Sequence, residues 1–183
     1  MLAREAPRDT LPAMAITLIT GLAGTGKSAV IGELARQGHR AVDTSTKDWS
    51  EWRRVRKTGS SAEGPRDEWV RREDRIADLL ASADHGNLFI AGCCSNMPVF
   101  ASHFDHIVLL SADRDRMLDR LAPRWDLRFA GDRFERFLVL RDLEVTLPKL
   151  RALAHQEIDT TNLGITEVSQ MILDLISLSK TTG

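Results

Sequence analysis

The amino-acid sequence predicts an α/β fold, a parallel sheet with helices packed on both of its faces. Three observations predict it. Short apolar runs alternate with amphipathic helical patterns along nearly the whole chain. The first run is short, rich in β-branched residues and mostly apolar, which suits a strand buried on both faces. A glycine-rich turn then joins that run directly to a helical pattern.

Taken in order, AITLIT at 15–20 is the buried strand, ending at Gly21. After the glycine-rich turn, Val30, Ile31, Leu34 and Ala35 recur at helical spacing until Gly38, a residue suited to a helix C-terminus. HRAVD at 39–43 reads as a second, weaker strand. Residues 44–65 mix Ser, Gly, Trp and charge without a clean period, which predicts a mobile loop or short helices outside the sheet. Loops of that length in compact domains usually carry function. Over 66–83, Trp69, Ile76, Leu80 and Ala83 share one face, which predicts a long amphipathic helix. NLFIAG at 87–92 and HIVLL at 106–110 are the third and fourth strands. Asp113 is placed to cap a helix carrying Met117, Leu118 and Leu121, which Pro123 brings towards its end. An arginine-rich connector at 125–133 precedes a helical pattern from Phe134 to about Leu147, with a break at Pro148. HQEID at 155–159 is a weak fifth strand, and Ile165, Val168, Ile172, Leu175 and Ile176 define a last helix. Alternation of this kind implies parallel pairing through right-handed crossovers, and no internal repeat interrupts it.

The 183 residues fit one domain, and 43% hydrophobic with 28% charged residues argues against disordered, collagen-like and membrane classes. A formal net charge of -1 argues against a strong polyanion binder. The two cysteines, Cys93 and Cys94, are adjacent, so neither a disulfide framework nor a four-ligand zinc site can be written, and a cytoplasmic setting is expected. Residues 1–13 carry both charge signs and two prolines without an apolar stretch, so they read as a flexible tail before a domain at 14–180. No run approaches the roughly 18 to 20 apolar residues of a membrane helix.

The strongest signal is GLAGTGKS, from Gly21 to Ser28, which satisfies G-x-x-x-x-G-K-[ST] between a strand and a helix, the context that pattern requires. Gly21, Gly24 and Gly26 permit backbone angles closed to other residues. The N–H groups of this loop, those of Ala23, Thr25 and Ala29 included, can then converge on phosphate oxygens at the positive end of the following helix. Lys27 would reach the β- and γ-phosphates and the Ser28 hydroxyl would ligate Mg²⁺. ATP with Mg²⁺ is the expected ligand pair, since no N-K-x-D segment argues for GTP.

With these residues the chain resembles the small P-loop kinases, the group containing shikimate, gluconate and adenylate kinases, over nearly all of 16–177. It is most similar to uncharacterised bacterial AAA-family ATP-binding proteins of shikimate-kinase-like layout, which pair a strand-two DTD with a strand-three GC-x-SN. Here these read DTS at 43–45 and GCCSN at 92–96. The resemblance implies a P-loop NTPase three-layer sandwich, with a five-stranded parallel sheet in the order 2-3-1-4-5. It also implies a substrate-binding region at 44–66 and a small lid at 123–134. The implied activity is transfer of the ATP γ-phosphoryl group to a hydroxyl or phosphate of a small metabolite, anionic acceptors included.

The resemblance assigns roles residue by residue. Asp43 would bind the acceptor hydroxyl or a magnesium-bound water, as a catalytic and metal-site carboxylate. The family's second acid is replaced by Ser45, with Asp48 a possible substitute. Strand three ends in Ala91 and Gly92 without a Walker B carboxylate, as in shikimate kinases, so Cys93, Cys94, Ser95 and Asn96 would line the acceptor pocket. DRLAPR at 119–124 resembles the R-x-x-x-R at the lid entrance, which assigns Arg120 to the adenine and Arg124 to the phosphates. The lid sequence WDLRFAGDR departs from N-P-Y-G-K, leaving Arg128 or Arg133 to replace its lysine. DTTNLGITEV at 159–168 resembles the segment that wraps adenine, which names Thr160 and Asn162 as nucleotide neighbours.

Outside the resemblance, Trp49, Trp52, Arg53, Arg54, Arg56 and Lys57 crowd the loop after strand two, with Trp69, Arg72 and Arg75 beyond. Arg53 and Arg72 are candidates for binding an acceptor carboxylate or phosphate. The alternative is a solvated charged face whose tryptophans anchor the loop. Competing functions are a nucleotide-binding module or weak ATPase without an acceptor, and a nucleic-acid-linked enzyme. The last is disfavoured because acids interrupt the basic patch and no RNA-binding aromatic motif occurs.

Overall fold

Both faces of β1 (Ile16–Thr20) are covered, which is why its five residues are all buried. The structure, a computed structural model, describes residues 14–55, 66–83, 86–94, 96–125 and 132–181. After β1 come α1 (Lys27–Arg36), β2 (Arg40–Asp43), β3 (Ser50–Val55), β4 (Arg66–Arg71) and α2 (Glu73–Ala81). Next are β5 (Leu88–Ala91), a 3₁₀ helix (Met97–His103), β6 (His106–Ser111), α3 (Arg114–Trp125), α4 (Asp132–Val145), α5 (Leu147–Leu153), β7 (Gln156–Asp159) and α6 (Ile165–Thr181). Five of the strands form one parallel sheet in the order β2-β5-β1-β6-β7. Counting only those five in chain order, this is 2-3-1-4-5, and the layering is that of a P-loop sandwich.

Alternation along the strands builds two cores. Leu88 and Ile90 of β5, with Ile107 and Leu109 of β6, face Ile76 and Leu79 of α2, Met117 and Leu121 of α3, Val139 of α4 and Leu147 and Leu150 of α5. The intervening Phe89, Ala91, Val108 and Leu110 face Val30, Ile31 and Leu34 of α1 and Val168, Ile172 and Ile176 of α6. Each of the larger side chains contributes roughly 1.5–3 kcal/mol on burial, so packing on both faces holds the sheet. Helix α1 stops as its sequence predicts: Gly38 takes φ +87, its N–H donates to Ala35 O at 3.0 Å, and the His39 N–H donates to Leu34 O at 3.0 Å. Pro148 lies in the first turn of α5, where a missing N–H costs nothing, so the expected break falls at Thr146 between α4 and α5.

Two expectations are corrected. Among the described residues of 44–65, Ser50–Val55 is a strand, paired antiparallel with Arg66–Arg71. The register sets Trp52 opposite Trp69, Arg53 opposite Glu68 and Arg54 opposite Asp67, so opposite charges fall at facing positions of the ladder. The long helix expected over 66–83 is therefore strand β4 followed by the shorter α2. Its switch point is Arg72, extended at ψ 108, after which Glu73 and Asp74 occupy the first turn and complement the helix dipole.

The hairpin is tied to the sheet at its base. The Thr44 N–H and Oγ1 both donate to Ala91 O, at 2.8 and 2.7 Å, and Ser50 Oγ donates to Thr44 O at 2.8 Å. The Arg72 N–H donates to Trp49 O at 2.9 Å. Asn96 closes the clamp: its Oδ1 accepts from the Arg71 N–H at 2.9 Å and its Nδ2 donates to Arg71 O at 3.1 Å. Among the described residues no helix is long and apolar enough to cross a membrane. Asn96→Ala strands both backbone groups of Arg71, and is expected to cost about 1–3 kcal/mol, read as a lower urea midpoint with an unchanged slope.

Candidate functional site: the carboxyl edge of the sheet

The glycine-rich loop leaves β1 at the edge where all five parallel strands end. Gly24 and Gly26 are left-handed, at φ +83 and +98. A Cβ on Gly24 would lie 2.7 Å from Met117 O, so α3 packs directly on the loop backbone. Gly21 has no room either, because a Cβ there would collide with Leu110 O. Inside the loop, the buried Thr25 donates from Oγ1 to Leu22 O at 2.8 Å, and Lys27 Nζ donates to the same carbonyl at 2.8 Å. The cradle opens on a cavity of about 570 Å³, lined by residues 21–30 and by Ser45, Cys93, Arg120, Leu121, Asp142, Thr160, Leu163, Ile165 and Val168. That volume suits a whole small-molecule ligand.

Asp43 ends β2 beside the cradle, its last backbone position in register with Ala91. The Ser45 N–H donates to its Oδ1 at 2.9 Å and the Ser45 hydroxyl donates to the same oxygen. Burial pushes this carboxyl up, but hydrogen bonds from the Ser45 and Ser28 hydroxyls, from the Ser45 N–H, and the charge of Lys27 outweigh it and leave the pKa below its ordinary value. Ser28 and Asp43 thus bring a hydroxyl and an ionised carboxylate together, a hard oxygen set that fits Mg²⁺. Ser45 serves as a donor that holds Asp43.

At the far end of the cavity Arg120 joins two segments. It donates from Nη1 to Gly24 O at 3.3 Å and Thr160 Oγ1 at 3.0 Å, and from Nη2 to Thr160 O at 2.7 Å. Burial, then the neighbouring Arg116, lowers its pKa, with Asp159 opposing. Thr160 is buried within reach of both Thr25 O (3.1 Å) and Ser111 O (3.0 Å). Asn162 is exposed and is not among the cavity-lining residues, whereas Leu163, Ile165 and Val168 of the same 159–168 segment, not singled out as nucleotide neighbours in the sequence, do line it. The Arg124 and Arg133 side chains, and Ser95, Arg56, Lys57 and Arg128, lie outside the described residues.

The acceptor candidates separate. Cys93 lines the cavity; burial pushes its thiol up, with Lys27 pulling against it, so it is a protonated wall rather than a nucleophile. Cys94 is buried with its sulfur 3.6 Å from Ser50 Oγ. Asn96 clamps the Arg71 backbone instead of lining the cavity. Arg53 and Arg72 do not line it either: both pair with Glu51, at 2.8 and 3.5 Å, on the solvated hairpin. The cation brought to this turn is Arg71, which the sequence reading passes over. Its side chain is fully buried, and among the described residues its three guanidinium nitrogens have no hydrogen-bond partner of ordinary geometry, the Cys94 thiol lying beside them. A Cβ on Gly92 would lie 2.7 Å from its Nη2 and 2.7 Å from Thr44 Oγ1, so the bare glycine is what admits the guanidinium. Burial lowers its pKa, while Cys94, Cys93 and Asp43 draw it back up.

Asp43 supplies a pH signature of this site. Its folded pKa is depressed, so its contribution to stability is complete above the unfolded carboxylate value of about 3.9 and is lost as pH falls through the lower folded value. In the metal-free protein, Asp43→Asn is expected to shallow the acid loss of stability below about pH 5, measured by urea unfolding across that range.

No curated protein matches the sequence. Among solved structures, the fold is similar to a shikimate kinase from Acinetobacter baumannii in complex with shikimate, at TM-score 0.60 and 21% identity over 93% of this chain and 96% of that one. It is also similar to a shikimate kinase from Bacteroides thetaiotaomicron, at 0.56 and 15% over 89% and 98%, and to TT1252 from Thermus thermophilus, at 0.55 and 16% over 92% and 98%. These likenesses are of fold. The family model for an AAA domain matches residues 17–127, a span that carries the glycine-rich cradle, Asp43, the Gly92 turn and Arg120. A P-loop sandwich with a nucleotide-sized cavity at its carboxyl edge, the chain belongs to this AAA domain family.

Proposed function

We propose that the protein is an ATP- and Mg²⁺-dependent small-molecule kinase, transferring the γ-phosphoryl group to a hydroxyl of a small acceptor that carries an anionic group. The observation that carries this reading is the proximity of an ionised Asp43 to the Lys27–Ser28 end of the cradle, with the buried Arg71 guanidinium behind the adjoining Gly92 turn. The loop backbone and Lys27 bind the triphosphate, and Arg120 with Thr160 borders the base. Mg²⁺, held by Ser28 and by Asp43 directly or through water, would neutralise phosphate charge. Asp43 orients the acceptor hydroxyl and takes its proton as its oxygen bonds to the γ-phosphorus and the bond to the β-bridging oxygen breaks, releasing ADP. Arg71, buried behind the Gly92 turn and outside the cavity lining, adds a positive charge behind the wall that Cys93 forms, a field that favours an anionic acceptor group.

The competing reading is a nucleotide-binding module or weak ATPase, favoured by the replacement of a second acid with Ser45. The test is product analysis by mass spectrometry after incubation with ATP, Mg²⁺ and a pool of hydroxylated metabolites. Acceptor-dependent product is expected from the wild type and from neither Lys27→Ala nor, at measurable rate, Asp43→Asn, whose kcat should fall roughly 10²- to 10⁴-fold with ATP binding retained. ATP turnover indifferent to every acceptor would select the module. Arg71→Met, which keeps the apolar stem and removes the charge, should raise the acceptor KM by about 10-fold or more while leaving the ATP KM unchanged.

A further inference from the structure

Beyond the glycine-rich loop, the far wall of the cavity is formed by Arg120, Leu121, Thr160, Leu163, Ile165 and Val168. Four of these six side chains are aliphatic. The other two are the polar side chains of this wall among the described residues, and the fold has already engaged both. Arg120 donates from Nη1 to Gly24 O and Thr160 Oγ1, at 3.3 and 3.0 Å, and from Nη2 to Thr160 O at 2.7 Å. Thr160 Oγ1 accepts that bond and lies 3.1 Å from Thr25 O and 3.0 Å from Ser111 O, so its single proton goes to a protein carbonyl. Backbone groups of the same segment turn inward as well. The Thr160 N–H donates to Ser111 O at 2.8 Å, the Gly164 N–H to Glu167 Oε2 at 2.7 Å, and the Val168 N–H to Gly164 O at 3.1 Å.

Adenine and guanine differ most where a protein reads them by hydrogen bonds: one carries an amino donor, the other a carbonyl acceptor. A wall with a fixed polar partner suits one of them and leaves a buried group unpaired against the other, a discrimination of roughly 10- to 100-fold or more. An aliphatic wall offers each ring the same contact, because every base has an apolar face. A guanidinium with both terminal nitrogens engaged presents its plane, and stacking on a plane is equally indifferent to the groups on the ring edge.

We infer that the cavity selects its nucleotide by the triphosphate and by the bulk of a purine ring rather than by the groups that ring carries, so that ATP, GTP and inosine triphosphate are equivalent phosphoryl donors. This rests on the nucleotide-binding half of the kinase reading. The polar groups beside the base serve to fasten the wall, and Leu121, Leu163, Ile165 and Val168 supply the contact.

The experiment titrates the full chain with ATP, GTP and inosine triphosphate, each with Mg²⁺, in competition with a fluorescent ADP labelled on its ribose, and uses inorganic tripolyphosphate as the control without a base. The three nucleotide Kd values are expected to agree within about 10-fold, with tripolyphosphate weaker than all of them by about 10-fold or more. Ile165→Ala, at a half-exposed position where truncation costs the fold little, should weaken the three nucleotides by a common factor of roughly 2- to 5-fold and leave tripolyphosphate unchanged. A preference above about 10-fold for any one nucleotide, or an Ile165→Ala effect confined to one of them, overturns the inference and leaves the kinase reading standing, because the preferred nucleotide still binds. Tripolyphosphate bound as tightly as the nucleotides also overturns it, since the wall then contacts no base. Failure of every nucleotide to bind removes the cradle reading and the inference together. Equal binding by a protein that phosphorylates nothing in the metabolite pool upholds the inference and removes the kinase reading.

Discussion

Parallel pairing of β1 with β5 on one side and β6 on the other is the constraint on which the site depends. In a parallel sheet every strand ends at the same edge, so the segments that follow them meet whatever their separation in sequence. The cradle after β1, Asp43 at the end of β2, the Gly92 turn after β5 and Thr160 after β7 are gathered by that one geometrical fact. The two cores serve it. Because β1 is apolar on both faces, it is driven to the centre of the sheet, and the glycine-rich loop it feeds is flanked on both sides by other strand ends.

The close approach at Gly92 does comparable work on a smaller scale. With no Cβ there, Thr44 and the Arg71 guanidinium both close on the strand end, which joins the hairpin to the sheet at a point where a side chain would force them apart. Thr44, Ser50 and Asn96 reinforce the same junction through backbone hydrogen bonds. The outcome is a buried cation set on regular structure, held by backbone contacts at both its N–H and its carbonyl. A cation so placed cannot rearrange cheaply to find a partner.

The sheet strands and the cradle were legible because their signals are local: β-branched runs bounded by glycine, and a spacing of glycine, lysine and serine whose chemistry is self-contained. The hairpin was not. In SEWRRV, Trp52, Arg53 and Arg54 are all exposed, so the apolar–polar alternation that betrays a half-buried strand never forms. Ile76, Leu80 and Ala83 then extended a helical pattern backwards over β4, because no glycine or proline marks the turn at Arg72; the Glu73–Asp74 pair was the signal that a helix starts there. Arg71 was illegible for a related reason. Five of the six residues from Arg71 to Ile76 are charged, and nothing in a run of like side chains says which one the fold will bury. Asp142, lodged in what reads as the polar face of a helix, was equally silent.

The Arg120 contacts make the rim of the cradle a shared structure. One guanidinium reaches Gly24 O and the carbonyl and hydroxyl of Thr160, and that hydroxyl also reaches Thr25 O, so the glycine-rich loop and the segment after β7 are fastened to each other twice over. Two stretches of chain from opposite ends of the sequence are thereby fixed relative to one another, and loosening either one frees both.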